Sequence, residues 1–223
     1  MKKKKIIPII ITLIAIIIAA VGIKAALPSA KYKDNHIVVR NSQLEWNLVL
    51  VNPWNELPDN MKCKEMELRN GSIIDRRIYE DLQNMFDDAR YAGFDPEVTS
   101  GYRSRKKQQQ LFDDKKKEFK NQGYSNRKAE EAALQWVAEP GYSEHETGFA
   151  VDINEIGGNS QSLYKWLEQN CSKYGFILRY PAEKTDITGI EYEPWHFRYV
   201  GHDAAEYITA NGLTLEEYLE KTL

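Results

Sequence analysis

Apolar and polar positions divide the chain into one uniformly apolar run and a longer stretch where the two kinds alternate. Ile6 to Ile23 carry no charge over 18 positions and are interrupted only by Pro8, Thr12 and Gly22. At about 1.5 Å rise per residue the run reaches across a hydrocarbon core of about 30 Å. Lys2–Lys5 precede it, which holds the N-terminus in the cytoplasm and predicts that the remainder lies outside. A cleaved signal peptide is the rival reading, with Ala25, Ala26 and Ala30 as small residues for a peptidase; its apolar stretch is usually only about 7–15 residues, so an uncleaved single-pass anchor is preferred. A one-sided core helix does not fit a run that is apolar on every face.

Downstream, Pro28, Ser29 and Ser42 with several charges mark a polar tether over 28–43. Leu44–Val51 has strand character, Asn52–Asn55 a turn, and the segment to about Gly71 has no period and is expected to be an ordered loop. Ile78, Leu82, Met85, Phe86 and Ala89 recur at three and four and predict a helix over 75–91, stopped by Gly93. Glu97–Ser100 follows as a short strand. Ser104 caps a helix to about Lys120, and Ser125 caps another with Ala129, Ala132, Ala133, Trp136 and Val137 on one face. Phe149–Ile153 is a strand. A helix from Ser160 or Ser162 turns Leu163, Trp166, Leu167, Cys171 and Tyr174 inward and ends at Gly175. Phe176–Tyr180 is a strand, 181–192 a polar loop, His196–Val200 the last strand, and Thr214–Glu217 a capping box. Helices clustered among scattered short strands predict an α+β domain over 44–223, behind the 1–27 stub and anchor.

Charge and cysteine narrow the function classes. Residues 1–27 hold five of the 30 basic residues and none of the 33 acidic ones, so the remainder carries a formal charge of −8. That excludes nucleic acid as the main partner. Cys63 and Cys171 would be free to pair outside the cell, but their separation fixes no geometry, and a free buried Cys171 is an equal expectation.

The chemistry gathers in Ser143–Asp152. His145 offers an imidazole nitrogen and Asp152 a carboxylate, both ligands for zinc. The other histidines are His36, in the tether, His196, in Glu193-Pro194-Trp195-His196, and His202, read as an ordinary surface or packed residue. If His145, Asp152 and His196 converge, three protein ligands leave a fourth position open for water, the catalytic arrangement, and Glu193 is placed to act as general base. Positions three apart on a straight strand face opposite sides, so this assignment predicts a bend at Pro194. Against it stand the plainer readings of a packed histidine beside a tryptophan and a turn-forming aspartate.

Ser143-x-His145-x-x-Gly148-x-Ala150-x-Asp152, then Glu193-x-Trp195-His196, with Ser100-Gly101-Tyr102-Arg103-Ser104 upstream, resembles the zinc D-alanyl-D-alanine carboxypeptidases of the VanY type over roughly residues 45–203. The resemblance implies a small central antiparallel sheet flanked by helices, the hedgehog/DD-peptidase-like zinc fold. It also implies one zinc ion on His145, Asp152 and His196, with Glu193 as base and Arg103 stabilising the oxyanion or holding a carbonyl. Gln108 and Ser143 match positions that contact the peptide terminus, and Trp195 is expected as a pocket wall. The substrate implied is the C-terminal D-alanine of a peptidoglycan stem peptide, cut by a membrane-anchored monomer. Relatives that share these motifs leave L,D cleavage of a tetrapeptide, a dipeptidase and a non-catalytic wall-binding domain as alternatives.

Overall fold

The structure, a computed structural model, describes residues 36–223, so the expected membrane run and the first half of the tether lie outside the described residues. No helix among the described residues is long and apolar enough to cross a membrane. The chain runs through a hairpin, β1 (Glu65–Glu67) and β2 (Ile73–Asp75), and then helix α1 (Tyr79–Tyr91). Next come β3 (Pro96–Ser100), α2 (Arg105–Asn121), α3 (Asn126–Ala133), β4 (Ala150–Glu155) and α4 (Gln161–Asn170). It ends with β5 (Phe176–Leu178), the short α5 (Thr185–Thr188), β6 (His196–Tyr199), α6 (His202–Ala210) and α7 (Leu215–Thr222). The architecture is α+β, as expected.

Four strands form an antiparallel sheet in the order β3-β4-β6-β5. Side chains alternate across it. Val98, Val151, Ile153, Phe176, Phe197 and Tyr199 point to one face and pack with Leu82, Met85 and Phe86 of α1 and Leu163 and Leu167 of α4. Full burial of each such side chain is worth roughly 1.5–3 kcal/mol. The same alternation puts Asp152, His196 and Arg198 on the opposite face. A second apolar cluster joins Leu50, Ile177 and Val200 to Ala204, Ala205, Ile208, Leu215 and Leu219 of α6 and α7, and Ile37 and Val39 pack against it.

Predicted boundaries agree where periodicity is strong. Ser104 accepts from the Lys107 N–H and Ser125 from the Lys128 N–H, capping α2 and α3. Thr214 and Glu217 form the expected capping box, and Gly175 ends its turn in the left-handed region. Both cysteines are free.

Four expectations are corrected. Leu44–Val51 forms no strand: its buried backbone is served by side chains instead, with Asn41 bonding both the N–H and the C=O of Leu50 and Arg198 Nη2 donating to the carbonyls of Asn47 and Val49. The segment read as a loop to Gly71 contains β1, whose turn is closed by Leu68 N–H donating to Ser72 O. The polar loop 181–192 contains α5. Trp136 is 71 % exposed rather than on the buried face of α3, because that helix ends at Ala133 and the chain turns with the N–H groups of Trp136 and Val137 both directed to Ala133 O. Helix α6 is an addition that the sequence reading did not contain.

Candidate metal centre

Three elements deliver three donors. Asp152 and His196 are register partners on β4 and β6, so one cross-strand pair presents a carboxylate and an imidazole on the same face. His145 comes from a short 3-10 turn, Glu144–Thr147, that leads into β4. Gly148 makes the link: its φ is +78°, and a Cβ there would lie 2.5 Å from Cys63 Sγ. The left-handed turn at Gly148 thus brings His145 round to face Asp152.

The donor atoms lie close together. His145 Nε2 is 3.4 Å from Asp152 Oδ2, His196 Nδ1 is 3.0 Å from Asp152 Oδ1, and one ligand atom from each residue falls within 4.8 Å of the others. Donors about 2.1 Å from one tetrahedral ion stand about 3.4 Å apart, so the spacing fits zinc. The nitrogens turned away are occupied as well. His145 Nδ1–H donates to Gly101 O at 2.8 Å, and His196 Nε2 faces Glu144 Oε2 at 3.4 Å. Gly101 is required at its position, because a Cβ would meet Ile73 O at 2.1 Å.

Glu193 reaches the same place by the predicted bend. His196 N–H donates to Glu193 O, closing a turn over Pro194 and Trp195, and Glu193 Oε2 comes to 3.6 Å from His196 Nδ1. Arg103 is carried over the site after an irregularity in β3 between Val98 and Ser100, and its N–H donates to His145 O. Its Nη1 donates to Gln108 Oε1 at 3.1 Å, while its Nε is buried without a protein partner. Gln108 is itself buried and donates through Nε2 to Ala138 O. The cleft, about 230 Å³, is lined by Arg103, Gln108, Ser143, Tyr180, Trp195 and Trp136 beside the donor residues. All the site residues expected from the sequence therefore border one cleft.

Electrostatics follow from burial among charges. Burial alone would raise the Asp152 carboxyl, but His145 and His196 hold it well below the usual carboxylate range. Burial pushes the His145 imidazole down. For His196 burial works downward too, but hydrogen bonds to Asp152 and Glu144 outweigh it and raise the imidazole to about 9. Burial raises the Glu193 carboxyl above its ordinary value, the direction required of a group that takes up a proton near neutrality.

The sequence reading missed what lies behind the site. Glu144 is fully buried, with Arg179 Nε and Arg198 Nη1 each 2.8 Å from its Oε1. Arg179 continues to Glu216 of α7, which also accepts from Asn52. One signal was available: an arginine stands within each of two otherwise apolar strand segments, Phe176–Tyr180 and His196–Val200.

Comparison with known proteins agrees with the geometry. The family model for VanY, D-alanyl-D-alanine carboxypeptidase, matches residues 71–202. A D-alanyl-D-alanine carboxypeptidase of Enterococcus faecalis is 48 % identical over 182 residues, covering 81 % of this chain and 68 % of that protein. The crystal structure of a vancomycin-resistance D,D-pentapeptidase VanY from a VanB-type cassette, in complex with Zn(II), superposes with a TM-score of 0.74 at 50 % identity over 78 % of this chain and 99 % of that one. VanYB in complex with D-alanine-D-alanine superposes with a TM-score of 0.75 at 49 % identity, over 79 % and 98 %. The chain belongs to the VanY family of D-alanyl-D-alanine carboxypeptidases.

Proposed function

We propose that this cleft is a one-zinc D,D-carboxypeptidase site that removes the C-terminal D-alanine from peptidoglycan stem peptides or their precursors. The observation that carries the reading is the convergence of His145 Nε2, Asp152 and His196 Nδ1 beside a half-buried carboxylate, Glu193. Those three residues would hold the ion. When bound, zinc supplies an acidified water and polarises the carbonyl of the bond to be cut.

The chain's own groups do the rest. Glu193 Oε2 takes a proton from the attacking water and returns it to the departing amine, a role its burial favours. Arg103, held by Gln108 at the edge of the cleft, donates from its guanidinium to the peptide carbonyl oxygen as negative charge grows on it. Ser143 lines the cleft at the peptide terminus, and Trp195 forms part of its wall. Gln108 acts by fixing Arg103 and the 134–138 wall and by contact with the peptide terminus.

The anchor belongs to the same reading. Ile6–Ile23 would hold the protein to the membrane by a single pass, with Lys2–Lys5 cytoplasmic and the hydrolase, a monomer, facing the wall. Its place outside matches a substrate that is exposed there.

The test is D-alanine release by the full chain in detergent, from a pentapeptide ending in D-alanyl-D-alanine and from the tetrapeptide lacking the last residue. Zinc-dependent, chelator-sensitive release from the pentapeptide is expected. No release with zinc present would sink the enzyme reading, and preference for the tetrapeptide would sink the D,D assignment. Alkaline carbonate extraction of membranes tests the anchor, which is wrong if the chain is washed off.

A further inference from the structure

Of the two histidines at the metal centre, His145 is held by a backbone carbonyl, whereas His196 is held by a buried carboxylate, that of Glu144. Glu144 is 2 % exposed and lies on the face of the sheet that carries His196 and Arg198. Its two oxygens are differently engaged. Oε1 takes Arg179 Nε and Arg198 Nη1, each at 2.8 Å. Oε2 is turned toward His196 Nε2 at 3.4 Å.

We infer that Glu144 is a positioning residue for the metal centre: it accepts the Nε2–H of His196 and thereby fixes the ring with Nδ1 as the ligand nitrogen. The inference rests on the zinc-site reading above. Three observations support it. A neutral imidazole carries one proton, so a carboxylate on Nε2 leaves the Nδ1 lone pair free toward Asp152 Oδ1 and Glu193 Oε2. The two arginines fix the carboxylate, so it cannot rotate to become a competing ligand without breaking two charged hydrogen bonds. Each arginine is anchored in turn, Arg198 on the carbonyls of Asn47, Val49 and Tyr199 and Arg179 on Glu216. Carboxylates behind ligand histidines orient the ring and strengthen its donor atom.

Glu216 supplies the control, since it is buried in the same ionic network but touches Arg179 rather than His196. Glu144→Gln takes a carboxylate from Arg179 and Arg198 and Glu216→Gln takes one from Arg179, so both lower the melting temperature. Only Glu144→Gln should weaken zinc binding, by about 10- to 100-fold, and alter the visible spectrum of the cobalt-substituted protein. Glu216→Gln should stay within about threefold of wild type with an unchanged cobalt spectrum. Equal losses in the two variants, or none in Glu144→Gln, would overturn the inference. Should Glu144→Gln fail to fold, nitrogen-15 spectra of the histidines in the zinc-loaded wild-type protein decide instead. A protonated Nε2 and a metal-bound Nδ1 on His196 support the inference, and the reverse pattern overturns it. A wild-type chain that binds no zinc overturns the zinc-site reading together with this one, whereas zinc-binding wild type with an indifferent Glu144→Gln overturns this one alone.

Discussion

Asp152 and His196, 44 positions apart in sequence, face each other as register partners across β4 and β6, with Oδ1 3.0 Å from Nδ1. Their spacing is set by a hydrogen-bonded sheet whose other face is packed on α1 and α4, so the donors are fixed before any ion arrives. Asp152→Asn keeps shape and register but weakens the ligand oxygen. The expected outcome is an unchanged far-ultraviolet circular dichroism spectrum with zinc affinity reduced more than about 100-fold, beyond the effect usual for an outer residue. Titration against a competing chelator measures it.

The same pair sets how zinc loading depends on pH. The His196 imidazole is raised to about 9 in the metal-free site, so it carries a proton at pH 7, while His145 is pushed down and Asp152 is held low and neither adds one. The ion needs a neutral ring. Binding at pH 7 is therefore expected to release about one proton, and affinity to rise about tenfold per pH unit up to about 9. Calorimetry in buffers of different ionisation enthalpy reads the proton directly. The sign for folding is opposite. A raised imidazole stabilises the metal-free fold fully below its unfolded value of about 6.5, and that contribution fades as pH rises through about 9.

Gly148 carries both a conformational and a steric requirement, with φ at +78° and Cys63 Sγ 2.5 Å from any added Cβ. The left-handed backbone costs a side chain about 1–2 kcal/mol and the overlap about 1–3 kcal/mol more. Gly148→Ala should lower the melting temperature by at least about 5 °C and weaken zinc binding, because the turn carries His145. Adding Cys63→Ala should recover the steric part only, which thermal melts of both variants check.

Trp195 and Trp136 line the cleft while 37 % and 71 % exposed. Truncating either is expected to raise KM several-fold with kcat little changed, the signature of binding lost equally from ground and transition states. Tyr91, 95 % exposed and outside the cleft, is the control, and Tyr91→Ala should leave both constants alone. Steady-state kinetics with a pentapeptide separates the three.

Much of the frame was legible in the sequence because it depends on local regularities. Apolar spacing marks α1 and α4, and Ser104, Ser125 and Thr214 mark helix starts that the structure places at the expected caps. The donor residues were legible because a histidine, an aspartate and a glycine at fixed spacing carry chemistry. What was hidden depends on distant partners. Leu44–Val51 reads as a strand, yet Asn41 and Arg198 satisfy its backbone instead. The β1–β2 hairpin is too short to show alternation, although Asn70-Gly71 between apolar positions is a turn signal. Helix α6 buries little beyond two alanines and Ile208. Glu144 carries no local signal of its role, because Arg179 and Arg198, which fold over it, are distant in sequence.

Glu193→Ala, compared with His196→Ala for D-alanine release and for zinc bound per chain, tests the central assignment most directly. The predicted result is that Glu193→Ala loses turnover by at least about 10²-fold while about one zinc stays bound, whereas His196→Ala loses both. Near-wild-type turnover in Glu193→Ala would contradict the account.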